Sequence, residues 1–266
     1  MSFSPVKELA LSRGTPVFQP ALLRDGVAAK TITGLCCDLI VVVAYGKILP
    51  KEILDIPPLG CINIHGSILP KYRGAAPIQH AILNGERVTG VTSQYISEGM
   101  DEGDILFVKK TDIGDDETSA DLFERLSVLG AELLSETVSA ISEGSVKGTA
   151  QNDDEATYAP LLTKTMSPID WNDSAVSIKC KVRALFLWPA ATMRLDGKTL
   201  KVLAVDVSND ASGKAPGSII SYGGQGIEVA CADGSVIVKL LQSAGGKIMP
   251  ASDYIRGNPI KGSMCE

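Results

Sequence analysis

Histidine is scarce in this 266-residue chain, which has only two, His65 and His80. Its six cysteines, at 36, 37, 61, 180, 231 and 265, include no Cys-x-x-Cys spacing. Together these leave a poor set of metal ligands, so the expectation is no metal site and reduced thiols that mostly pack. Cys36 and Cys37 are adjacent, and a disulfide between them would be strained. No apolar run approaches the ~18 residues a membrane-spanning helix needs, and the first residues lack the basic stretch, apolar core and cleavage site of a secretory signal. Transit-peptide composition is absent there too, so no membrane partner and a cytoplasmic location are expected. No serine or cysteine sits in a triad or elbow signature, which leaves covalent catalysis little support. There is no internal repeat.

What is present is ordinary globular composition, with 45% hydrophobic residues and a net charge of −6. The charge is uneven: residues up to Met166 carry 14 basic and 22 acidic side chains, net −8, and those from Ser167 onward 11 and 9, net +2. The first part repels a polyanion, and the second tolerates one.

Helical and strand patterns alternate from Pro5 to about Gly144, which argues an α/β sheet. Ser4 and Pro5 sit as N-cap and first residue of a helix stopped by Gly14. The apolar run Leu39 to Ala44 reads as a parallel strand buried on both faces. Strands are expected at Cys61 to His65, Gly90 to Ile96 and Ile105 to Lys110, with helices at Pro77 to Leu83 and Thr118 to Ile141. The polar run Gly148 to Glu155 has the texture of a linker. Beyond it, short strands punctuated by Asp196-Gly197, Gly223-Gly224 and Asp233-Gly234, with one helix at Ala175 to Leu185, suggest a small OB-like barrel. The expected division is 1–145 for the first domain, 146–166 for a linker and 167–266 for the barrel.

Chemistry is expected where the strand Cys61 to His65 ends in a polar loop. Asn63 and His65 are two residues apart, so a strand sends both side chains from one face. The carboxyl end of a strand in an open sheet is where ligands usually bind. Attack of an amine on a formyl or other acyl group needs these functions. His65 can take and return a proton near neutrality. Asn63 can aim an N–H at a developing oxyanion, worth about 3 to 4 kcal/mol when preorganised. An acid such as Asp101, in the glycine-rich loop Ser97 to Asp104, can orient the imidazole, although spacing does not place it. Plainer readings stand beside this: a structural histidine, an asparagine satisfying a turn, a solvated acidic turn, and His80 facing solvent or capping a contact. Gly99 and Gly103 would permit close backbone approach by a ligand.

The run Gly60-Cys61-Ile62-Asn63-Ile64-His65-Gly66-Ser67-Ile68-Leu69-Pro70-Lys71-Tyr72-Arg73-Gly74-Ala75-Ala76-Pro77-Ile78-Gln79 resembles the signature of the folate-dependent formyltransferases, in the branch acting on methionyl-tRNA. Flanking stretches agree, among them Asp38 to Pro50, Gly99 to Leu106, Ala156 to Pro160, Ile169-Asp170-Trp171 and Arg256 to Ile260, so the likeness covers essentially the whole chain. It implies a Rossmann-like catalytic domain followed by an OB-like barrel that helps hold tRNA. It also implies 10-formyltetrahydrofolate as donor, initiator methionyl-tRNA as acceptor, catalytic roles for Asn63, His65 and Asp101, and a monomer. Ser67, Ile68, Leu69 and Pro70 match the family's folate-binding loop, and Tyr45 to Leu49 would line the pterin side. Two readings compete: an amino-sugar formyltransferase, against which Ala75 to Gln79 argues, and an inactive remnant that only binds RNA.

Two departures from the pattern are expected to matter. The family normally begins with a strand–helix–strand unit that has no counterpart before Pro5, so the first domain is expected to be truncated at its N-terminus, leaving apolar strand edges and helix faces without partners. Ala184 to Ala191 also replaces the usual Gly-Leu-Asn-Pro-Trp-Pro-Gly-Ala, with a different local loop shape expected.

Overall fold

The computed structural model describes residues 3–208 and 213–265. Its first part contains α1 (Pro5–Ser12), α2 (Val27–Leu35), β1 (Ile40–Val42), α3 (Lys51–Leu54), β2 (Cys61–His65), β3 (Arg73–Gly74), α4 (Pro77–Leu83), β4 (Val88–Tyr95), β5 (Ile105–Asp112) and α5 (Ser119–Ser142). The main sheet runs β1-β2-β4-β5, with β1 parallel to β2 and the other pairs antiparallel. Helices cover both faces, as a Rossmann-like α/β layer arrangement requires. On one side Ile62 packs with Ile141, and Ile64 with Leu122, Leu126 and Leu133 of α5. On the other, Ile40 and Val42 pack against Ala28, Ile53 and their neighbours from α2 and α3. The caps behave as their sequences suggest: Ser4 accepts the Lys7 N–H, and Thr118 with Asp121 forms a capping box at α5.

The expectation that β1 is buried on both faces fails. Val41 is 40% and Val43 56% exposed, because only β2 pairs with this strand among the described residues and no helix covers them. Along that edge runs an apolar groove of about 540 Å³ lined by residues including Phe18, Leu35, Val43 and Tyr45. Helix α1 buries none of its residues, so Val6, Leu9 and Leu11 face solvent.

The second part begins after β6 (Tyr158–Ala159) with α6 (Ala175–Ala184), followed by β7 (Ala191–Leu195), β8 (Lys198–Ser208), β9 (Ile219–Gly223), β10 (Gly226–Ala230), β11 (Ser235–Ser243), β12 (Ile248–Pro250) and α7 (Ala251–Gly257). The strands form one antiparallel sheet, β7-β8-β11-β10-β9, with β12 on β11. Register shifts in the β8–β11 and β10–β9 pairs bend it around a core that includes Met193, Leu200, Ile227 and Leu241. The gap between the two edge strands is closed by the C-terminal segment. Cys265 bridges Leu195 at the end of β7, and Met264 bridges Ser218 just before β9. That closure makes the sheet barrel-like. The expected span 167–266 includes 209–212 and 266, which lie outside the described residues.

Helix α6 is shared by the two halves. Ala175, Ile178 and Val182 enter the barrel core, while Ala184 joins Tyr72, Ile78 and Leu122 in the core of the first sheet. Arg183 donates to the Glu117 and Gly114 carbonyls, and Lys179 pairs with Asp116. The loop after it differs from the usual pattern: Leu187, where that pattern has proline, adopts φ +69°, which a proline ring forbids.

Candidate active site

Strand β2 does what its period-two spacing requires. Its residues alternate, Ile62 and Ile64 turning to α5 and Asn63 and His65 to the opposite face. In register beside them on β4 are Gln94, opposite Asn63, and Thr92, opposite His65, so four polar side chains share that face.

His65 is 6% exposed, and its Nε2 lies 2.9 Å from the Tyr72 carbonyl oxygen. A carbonyl only accepts, so Nε2 carries a proton and donates it there. Nδ1, the other ring nitrogen, faces Asp101, with Oδ2 at 3.6 Å. Asp101 is therefore brought to His65 although 36 residues separate them in the sequence. Its carboxylate also accepts the Gly74 N–H at Oδ2, 2.8 Å, and the Gln94 Nε2–H at Oδ1, 3.2 Å. Asn63 is half-buried, and its side-chain amide has no hydrogen-bond partner among the described residues, leaving a donor free for a ligand.

The loop after β2 is held by its own polar groups. Ser67 is fully buried; its hydroxyl donates to the Lys71 carbonyl at 2.6 Å and its carbonyl accepts from Thr92 Oγ1 at 2.7 Å. Thr92 Oγ1 in turn accepts the Leu69 N–H at 3.2 Å, and Leu69 is buried. Of the four residues expected to bind folate, Ser67 and Leu69 thus point inward and shape the loop, while Ile68 and Pro70 remain half-exposed. Tyr45 and Ile48 are exposed, and Leu49 is buried. The glycines of the Asp101 loop do allow a close approach, but by the chain itself: a Cβ at Gly99 would meet the Glu102 carboxylate, and one at Gly103 the Tyr95 carbonyl. His80 lies on α4 with Nε2 3.1 Å from the Pro160 carbonyl, a contact it caps.

Residues 146–166, expected as a linker, lie along the site. Tyr158 and Ala159 of β6 pair with Arg73 and Gly74 of β3, and Thr157 Oγ1 accepts the Tyr72 N–H at 2.9 Å. Gln151 reaches the Asp101 loop, and the buried Arg73 reaches Gln151 and Asp153. Gln94, Arg73 and Gln151 lie outside the set of site residues expected from the sequence. For Gln94 a signal existed: a glutamine inside Val91-Thr92-Ser93-Gln94 must bury its amide if that strand is central.

Residues 1–138 match the formyl transferase family, and residues 161–259 its formyl transferase C-terminal domain. The chain belongs to the formyl transferase family. This formyl transferase is 47% identical over 256 residues to a methionyl-tRNA formyltransferase from Trichlorobacter lovleyi, a match covering 96% of this chain and 80% of that one. Its fold is similar to that of HypX from Aquifex aeolicus in complex with tetrahydrofolic acid, with TM-score 0.64, 22% identity, and 85% of this chain and 40% of that one covered. It is also similar to an N-formyltransferase from Helicobacter canadensis in complex with folinic acid and dTDP-3-aminofucose, with TM-score 0.66, 19% identity, and 87% and 81% covered.

Proposed function

We propose that this formyl transferase moves the formyl group of 10-formyltetrahydrofolate to the α-amine of methionyl-initiator tRNA, with Asn63, His65 and Asp101 as its catalytic set. The observation that carries the chemistry is the convergence of an unengaged amide, an imidazole and a carboxylate at the carboxyl end of β2. The 47% identity to a methionyl-tRNA enzyme, against 19% to a sugar enzyme, favours the tRNA acceptor over an amino sugar. The net +2 charge from Ser167 onward is compatible with RNA on the barrel side.

In the mechanism, the amine nitrogen attacks the formyl carbon, and the carbonyl π electrons move onto oxygen. The Asn63 amide donates to that oxyanion, a role that matters because the charge exists only along the reaction path. The proton lost by the attacking nitrogen passes to His65 or to water, and the folate nitrogen takes up a proton as its bond to the formyl carbon breaks. Because Nε2 already carries a proton, Nδ1 is the ring nitrogen that can take one up, and Asp101 Oδ2, 3.6 Å from it, stabilises the imidazolium so formed. Ile68, Pro70 and the segment at Tyr45 would contact the donor. No covalent enzyme intermediate is required.

The test is formylation of methionyl-initiator tRNA by the purified chain with 10-formyltetrahydrofolate, alongside His65→Ala. Product from the parent chain and none from the variant is expected. RNA binding without formylation would overturn the assignment in favour of a binding-only protein, and faster formylation of a nucleotide-linked amino sugar would overturn the acceptor.

A further inference from the structure

Asp101 is held by a chain of amides that begins outside the residues so far given a chemical role. The two N–H groups of Gln151 Nε2 are shared among three oxygens within hydrogen-bond distance: the Asp101 carbonyl at 2.8 Å, the Gly103 carbonyl at 2.7 Å and Gln94 Oε1 at 3.1 Å. Its Oε1 accepts from Arg73 at Nε, 3.1 Å, and at Nη2, 2.8 Å. A reversed amide would set an oxygen against three acceptors and an NH₂ against a guanidinium, so this orientation is dictated. Direction then passes along the chain. With its Oε1 engaged by Gln151, Gln94, 1% exposed, must turn Nε2 to the Asp101 carboxylate.

The restraint has something to oppose. Asp101 adopts φ +54°, a left-handed conformation disfavoured for L-residues and kept where the surroundings impose it. Gln151 grips the backbone at the Asp101 carbonyl and again two residues on at Gly103, and Gln94 with the Gly74 N–H fixes the carboxylate. We infer that Gln94 and Gln151 are positioning residues that hold Asp101 against His65 for formyl transfer. The inference rests on the reading proposed above.

With only two histidines, the imidazole signals offer a direct readout. Long-range ¹H–¹⁵N spectra of the parent, Gln94→Ala, Gln151→Ala and Asp101→Asn, with His80→Gln for assignment, report the His65 ring without requiring turnover. Both glutamine variants are expected to move the His65 resonances in the direction that Asp101→Asn moves them. Kinetically they should lower kcat by roughly tenfold or more with both KM values little changed, and add little in an Asp101→Asn background. His65 resonances unmoved by either glutamine variant while Asp101→Asn shifts them, or full additivity with Asp101→Asn, would overturn the inference. If Gln151→Ala does not fold, Gln94→Met, which keeps volume and removes one link, carries the same test. A parent chain without formylation would sink the functional reading alone, and the spectra would still decide whether the glutamines place Asp101.

Discussion

Gly74 donates its backbone N–H to Asp101 Oδ2 at 2.8 Å, and that same oxygen lies 3.6 Å from His65 Nδ1. The site therefore depends on a glycine that has no chemistry of its own. Gly74 sits at φ +119°, and a Cβ there would lie 2.8 Å from the Ala159 carbonyl oxygen. Gly74→Ala must break the β3–β6 pairing or abandon that backbone angle. Formylation is expected to fall by at least tenfold, with thermal unfolding lowered by a few degrees; calorimetry and initial rates check both.

Asn63→Ala should be an almost pure loss of turnover. Removing one preorganised oxyanion donor typically costs about 10²–10³ in kcat. Because the Asn63 amide has no partner among the described residues, its removal leaves no orphaned group inside the protein, and the melting temperature should hold. Steady-state kinetics with a parallel thermal melt test this; a KM effect with kcat unchanged would argue that Asn63 binds ground state and transition state alike.

The thiols give a pH dependence. Burial, with the Asp196 charge adding to it, pushes Cys265 up to about 12, and burial, with charges at Cys37 and Asp55, pushes Cys61 up to about 11. An unfolded thiol ionises near 8.5, so the folded state holds these protons longer than the unfolded one. Their contribution to stability is complete below about pH 8.5 and is lost as pH rises toward the folded values. Urea midpoints should therefore decline from pH 8.5 to 10.5, less steeply in Cys265→Ala. At pH 8 a thiol reagent should label Cys36 and Cys37 well before the four buried cysteines.

Strand β1 carries its own liability. An exposed strand edge with Val41 and Val43 beside an apolar groove is a template for pairing with other chains. Val43→Lys is expected to raise the concentration at which light scattering first reports aggregation. No change would show that association begins elsewhere, the exposed face of α1 being the next candidate.

Several of these features were legible in the sequence because they are local. Two-residue spacing put Asn63 and His65 on one face, and Ser4-Pro5 marked the start of α1. The apolar run at Leu39 to Ala44 signalled a strand but not its neighbours, since a hydrophobic run is silent on what covers it. The inward turn of Ser67 was equally hidden, because a serine hydroxyl serves a ligand or its own loop with the same atoms. Gln151 was the least visible: its polar surroundings read as a linker, and its partners lie 48 to 78 residues away along the chain.

One helix gives the two halves a common fate. With Ile178 in one core and Ala184 in the other, α6 keeps its burial only while both cores stand, and Arg183 adds bonds to carbonyls of the opposite half. Melting the barrel would strip α6 of its inner face and uncover the side of the first sheet's core that it seals. The two halves should then lose structure together in one cooperative transition, and cooperativity of that kind would keep the angle between barrel and catalytic face constant at working temperature.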